Sequence, residues 1–129
     1  MKLAAREWVR KAEGDFRTAR RESRVRSAPN HDAVCFHAQQ CAEKYLKALL
    51  TDAGTVFPRI HDLVKLADLC PSRAARIMGG IRDDIDLLSR FSVAYRYPGE
   101  TAGRREASEA MAAVGRARKT MRALLGLRR

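Results

Sequence analysis

The chain has 129 residues and carries 26 Lys and Arg against 15 Asp and Glu, a formal net charge of +11 at neutral pH. That length suits one domain, residues 1–129, with one core and no room for a second. No apolar run reaches the length of a membrane span, and the opening MKLAAREWVRKAEGD lacks the apolar stretch of an export signal, so the expectation is a cytoplasmic protein with no membrane partner.

Residues 3 to about 24 predict a first long helix, because Ala5, Trp8, Ala12, Phe16 and Ala19 recur at three- and four-residue steps. Trp8 is expected in the core. Ser27-Ala28-Pro29-Asn30 reads as a turn: Pro29 disfavours helical geometry at Ala28, and Asn30 suits the N-cap of the next helix. The central helix runs from His31 to about Asp52, free of Gly and Pro and rich in strong helix formers. Cys35, Ala38, Ala42, Tyr45, Leu46 and Leu49 make its apolar stripe. His37, Gln40, Lys44 and Lys47 line one polar face, either solvated or meeting a ligand, and Gln39 and Glu43 sit at the margin of the stripe. Phe36, Leu46 and Leu50 put apolar surface on a second side, which favours a homodimer.

Gly54 can close this helix in the left-handed conformation. Residues 60–69 predict a short helix, with His61 as a hydrogen-bonding residue at its start and Asp62 as an anion at its positive end. Residues 73–94 predict a further long helix, bent or split at Gly79-Gly80. Tyr95-Arg96-Tyr97-Pro98-Gly99 breaks the pattern, and Pro98-Gly99 fits the centre of a type II turn. Residues 103–125 predict the last helix, with Ala107, Ala110, Met111, Val114, Ala117, Met121 and Leu124 inward. No segment alternates with period two, so no sheet is expected.

Short connections between long helices imply antiparallel neighbours. The predicted fold is all-α: an up-and-down antiparallel bundle of four long helices plus one short helix at the lower end. Its upper end then gathers Arg20, Arg21, Arg24, Arg26, His31, Arg96, Arg104 and Arg105, with Asp32, Glu100 and Glu106 as the few acidic residues among them. The Arg and Ala bias has a bland source in a GC-rich genome; a basic end also raises the local concentration of phosphates. Arg96 lies between two phenol rings. It can grip phosphate while Tyr95 or Tyr97 stacks on a base, or it can simply stabilise a helix end.

The odd count of Cys35, Cys41 and Cys70 argues against a disulfide framework. Without CxxC or HExxH spacing, neither a metal site nor a cofactor is expected.

AQQCAEKYLKALL (residues 38–50), HDL at 61–63, AYRYPG at 94–99 and the Trp8, Asp15-Phe16, Ala19 pattern together resemble the HEPN domain over nearly the whole chain. The resemblance implies a helical bundle and homodimers. It also implies a small nucleotidyltransferase as partner, often in a toxin–antitoxin or defence module. Many such domains are metal-independent ribonucleases in which an Arg is followed, after four to six residues, by a His. Arg96 matches the Arg, but Thr101, Ala102 and Gly103 occupy the places of the His, and none of them shuttles a proton. Two functions therefore stand side by side. One is a non-catalytic module that binds a nucleotide, RNA or a nucleotidyltransferase through Arg96, Tyr95, Tyr97, Gln40, Lys44, Lys47, Arg24, Arg26, Arg104 and Arg105. The other is a ribonuclease using Arg96 with His31 or His37.

Overall fold

Alanine spacing decides how the first two helices meet. In the computed structural model, which describes residues 1–128, α1 (Leu3–Ser23) buries Ala5, Ala12 and Ala19 completely. That stripe of methyl groups lies against α2 (His31–Asp52), which starts at Asn30: the Asn30 side chain accepts the Ala33 N–H at 3.0 Å. The two run antiparallel, because the Asn30 N–H donates to Glu22, the Tyr45 hydroxyl to Glu13 and the Lys2 N–H to Asp52.

α2 is the axis of the fold and touches α1 and three of the helices that follow it. Val34, Cys35, Ala38, Cys41, Tyr45, Leu46, Ala48 and Leu50 are wholly buried on it, on more sides than one stripe would bury. Leu46 and Leu50 are therefore core, and the apolar surface expected on a second side reduces to Phe36, which is 38% exposed. Trp8 is half-buried against the core, short of the full burial expected, with the Lys47 ammonium 5.5 Å from its ring centre.

α3 (Leu63–Asp68) is shorter than residues 60–69, because Asp62 caps it: its carboxylate accepts the Lys65 N–H at 3.1 Å. It runs from the middle of the bundle towards the lower end, where Asp68 pairs with Arg82 and Pro71 shares a hollow with Asp52 and Leu124. His61 Nδ1 sits 3.0 Å from Glu43, and the Leu63 N–H donates to the Ser89 hydroxyl, so α3 begins beside the middle of α2. The expected fourth long helix is broken into α4 (Ser72–Met78) and α5 (Arg82–Ser89) by a 3-10 turn at Gly79–Ile81. Two successive glycines each cost a helix about 1 kcal/mol relative to Ala, which favours a break there. The bundle thus has three long helices and a divided fourth limb, and no strand occurs among the described residues.

α6 (Arg104–Leu124) runs parallel to α2, as an up-down-up-down order requires. At the upper end the Ala102 N–H donates to Asp32, and further down Arg122 donates to the Tyr45 hydroxyl.

Candidate functional site

Two hollows flank the start of α2, and the turn before it shapes the first. Ala28, ahead of Pro29, takes the left-handed conformation at φ +49°, which folds Arg24, Val25 and Arg26 back towards the start of α6. Together with Ser23, Pro29, His31, Arg104, Ala107 and Ser108 they line a cleft of about 380 Å³. Arg24, Arg26 and Arg104 have no carboxylate within 4.0 Å among the described residues. The acidic groups nearby hold backbone instead. Glu22 accepts the Asn30 N–H at 2.8 Å, Asp32 the Ala102 N–H at 2.7 Å and Glu106 the Gly103 N–H at 2.7 Å. These carboxylates close the turn and cap the last helix, leaving the guanidinium groups without a carboxylate partner.

The second hollow is an open groove of about 600 Å³ lined by Asn30, Asp32, Ala33, Phe36, His37, Ala94, Tyr95 and Arg96. Tyr95 reaches it through a left-handed backbone, φ +64°, and its ring lies 5.9 Å from that of Phe91. The type II turn forms as expected: the Glu100 N–H donates to the Tyr97 carbonyl and Gly99 has φ +92°. Tyr97 itself is 72% exposed and lies outside the groove lining. His37 is fixed at Nδ1 by Asp15, 2.8 Å away, and Lys44 holds the other oxygen of that carboxylate.

The predicted site residues therefore divide. Arg24, Arg26, His31 and Arg104 share the cleft, while Tyr95, Arg96 and His37 share the groove, so the two candidate histidines lie in different hollows. Arg105 is paired with Glu109 outside both. Gln40, Lys44 and Lys47 belong to neither. Their strip forms a polar seam along α2, with Lys47 buried and Gln40 and Lys44 partly buried. Gln40 donates to Gln39, Gln39 to Glu43, and the buried Lys47 ammonium to Glu43 at 3.1 Å. The reason is that α1 and the His61 segment cover this face of α2, so its polar groups pair with one another along the helix and with Asp15 and His61 across it. His61 serves this seam through Glu43 rather than the start of α3. Asp15 was missed as a site residue: it meets His37 only through the α1–α2 packing, 22 positions away in sequence.

Other chemistry finds little here. The three cysteines are buried and unpaired, and burial pushes the Cys35 thiol up to about 12 and Cys70 up to about 11, far from a reactive thiolate. Among the described residues no group of three or more His, Cys, Asp or Glu is arranged to hold a metal ion, and no helix is long and apolar enough to cross a membrane.

Comparison with known proteins adds a family to this geometry. The HEPN domain matches residues 5–124. The crystal structure of TT1696 from Thermus thermophilus is similar, with a TM-score of 0.80 and 25% identity over 95% of this chain and 98% of that one. ST0689, described as an archaeal HEPN homologue, is similar with a TM-score of 0.68 and 25% identity over 97% of this chain and 99% of that one. No curated protein matches.

Proposed function

The chain belongs to the HEPN domain family, and from that premise we propose that it is a binding module for a phosphate-bearing ligand, a nucleotide or single-stranded RNA, held at the basic upper end. The observation that carries this reading is the cleft. Three guanidinium groups from two separate stretches of chain converge on one concavity, while each neighbouring carboxylate is bonded to backbone. Planar guanidinium donors match phosphate oxygens, and a cleft lined by one sign of charge concentrates anions. The groove beside it adds aromatic rings, Phe36 and Tyr95, next to Arg96, the combination that stacks an unpaired base. Titration of single-stranded RNA at two salt concentrations tests the reading. The slope of log affinity against log salt should be about −0.7 per phosphate contact, and salt-independent binding or none would remove it.

The same module is proposed to work as a homodimer or with a nucleotidyltransferase. Exposed Phe36, Val93 and Tyr97, close in sequence to the groove residues, support a protein-facing surface there. Light scattering should report twice the 14.5 kDa chain mass, or co-purification a partner; a lone monomer in both assays would sink this part.

A ribonuclease is the second reading, favoured by one observation: His37 and Arg96 line the same groove, and Asp15 holds His37 at Nδ1. With Nδ1–H donated to Asp15, Nε2 is free to take a proton from a ribose hydroxyl while Arg96 steadies the phosphate. Incubation with RNA in EDTA decides it: cleavage lost in both His37→Ala and Arg96→Ala supports it, and intact RNA with the parent protein removes it.

A further inference from the structure

We infer that the cleft beside α2 selects a terminal phosphate, a phosphomonoester at the end of an RNA strand or on a free nucleotide, over the internal phosphodiesters of a strand. This rests on the reading of the cleft as a phosphate site and goes beyond it by naming which phosphate. An internal diester carries one negative charge and needs space for chain on both sides. A monoester carries about −1.5 to −2 near neutral pH and offers three terminal oxygens. The cleft fits the second description. Its three arginines line a single hollow of about 380 Å³, Arg24 and Arg26 from the segment after α1 and Arg104 from the start of α6.

His31 supplies an independent observation. It lines the same cleft, and its Nδ1 is buried with no hydrogen-bond partner, the one such side-chain atom among the described residues. A buried polar atom without a partner is destabilising, and native chains rarely keep one. A terminal oxygen entering between the arginines, with a turn of the imidazole about its Cβ–Cγ bond, would supply the missing partner. His31 is also the first residue of α2, where backbone N–H groups lack intrahelical acceptors and the helix dipole favours an anion. No carboxylate lines this cleft to repel a second negative charge.

The test uses the full chain and a short oligouridylate labelled at its 3′ end, carrying either a 5′-phosphate or a 5′-hydroxyl, in fluorescence anisotropy. The 5′-phosphorylated strand should bind about tenfold more tightly, the weight of one further charge-assisted contact. His31→Gln and Arg104→Ala should each shrink that difference to about twofold, with unchanged melting temperatures showing that both variants fold. Adenosine monophosphate should compete with the 5′-phosphorylated strand and adenosine should not. Competition at concentrations matching the oligonucleotide supports a free nucleotide as the ligand, and competition only in large excess supports a strand end. Equal affinity for the two strands, equally weakened by Arg104→Ala, would overturn the selectivity and leave the phosphate site standing. No binding of either strand at low salt would overturn both.

Discussion

Arginine has two opposite fates in this molecule. In the middle of the bundle, Arg118 donates two hydrogen bonds to Glu13, and Arg122 reaches the Tyr45 hydroxyl, which itself donates to Glu13. One carboxylate on α1 thereby ties α1, α2 and α6 together. Burial alone would raise the Glu13 carboxyl, but the hydrogen bonds from Arg118 and Tyr45 outweigh it and hold its pKa below the ordinary value. At the upper end the arrangement is reversed: Glu22, Asp32 and Glu106 bond to backbone N–H groups, and Arg24, Arg26 and Arg104 face a cleft. The same side chain is tied into the bundle where a carboxylate is left for it and unpaired with any carboxylate where those groups cap the chain. Net charge does not reveal that difference.

The contrast predicts a double dissociation. The largest effect belongs to the middle of the bundle: Glu13→Ala leaves two arginines and a phenol without their acceptor and should destabilise by about 2–3 kcal/mol, read by urea denaturation, with RNA affinity unchanged. An unaltered denaturation midpoint would break the comparison on that side. Acid should act through the same group. Because the folded pKa of Glu13 is depressed, its contribution is complete above the unfolded value and is lost as pH falls through the folded one. Melting temperature should therefore drop below about pH 4.5 more steeply in the parent than in Glu13→Gln, and parallel curves would contradict this.

The upper end should behave in the opposite way. Arg24→Ala combined with Arg104→Ala should weaken RNA binding by roughly tenfold or more at low salt and flatten the salt slope by about 1.4, two contacts' worth. Stability should stay within about 0.5 kcal/mol, as for exposed sites without partners. The smallest effect is expected for Arg105→Ala. That residue sits one position from Arg104 but is exposed and paired with Glu109, so both affinity and stability should change by no more than about 0.5 kcal/mol. A loss equal to that of Arg104→Ala would reduce the cleft to diffuse positive charge.

Local chemistry makes much of this legible in the sequence. The periods of α1, α2 and α6 follow from the recurrence of Ala, Leu and Met at three- and four-residue steps, and Asn30 and Pro98-Gly99 mark a cap and a turn that need only their neighbours in sequence. The antiparallel order followed from short connections, and it brought Arg24, Arg26, His31 and Arg104 to one end. Lys47 shows where such reasoning fails. On a helical wheel it belongs to a polar face, and only the approach of α1 and His61 turns that face inward, against Glu43 and Trp8.

The sequence alone thus determined the helices, their order and the basic character of the upper end, because those depend on spacing, on turn residues and on the lengths of connections. Tertiary structure decided which charges are free. An ion pair such as Glu13–Arg118 joins residues 105 positions apart, and the placement of Glu22, Asp32 and Glu106 on backbone N–H groups depends on how α1, α2 and α6 meet. Pairing is a property of distance in space, and the pattern along the chain does not carry that distance.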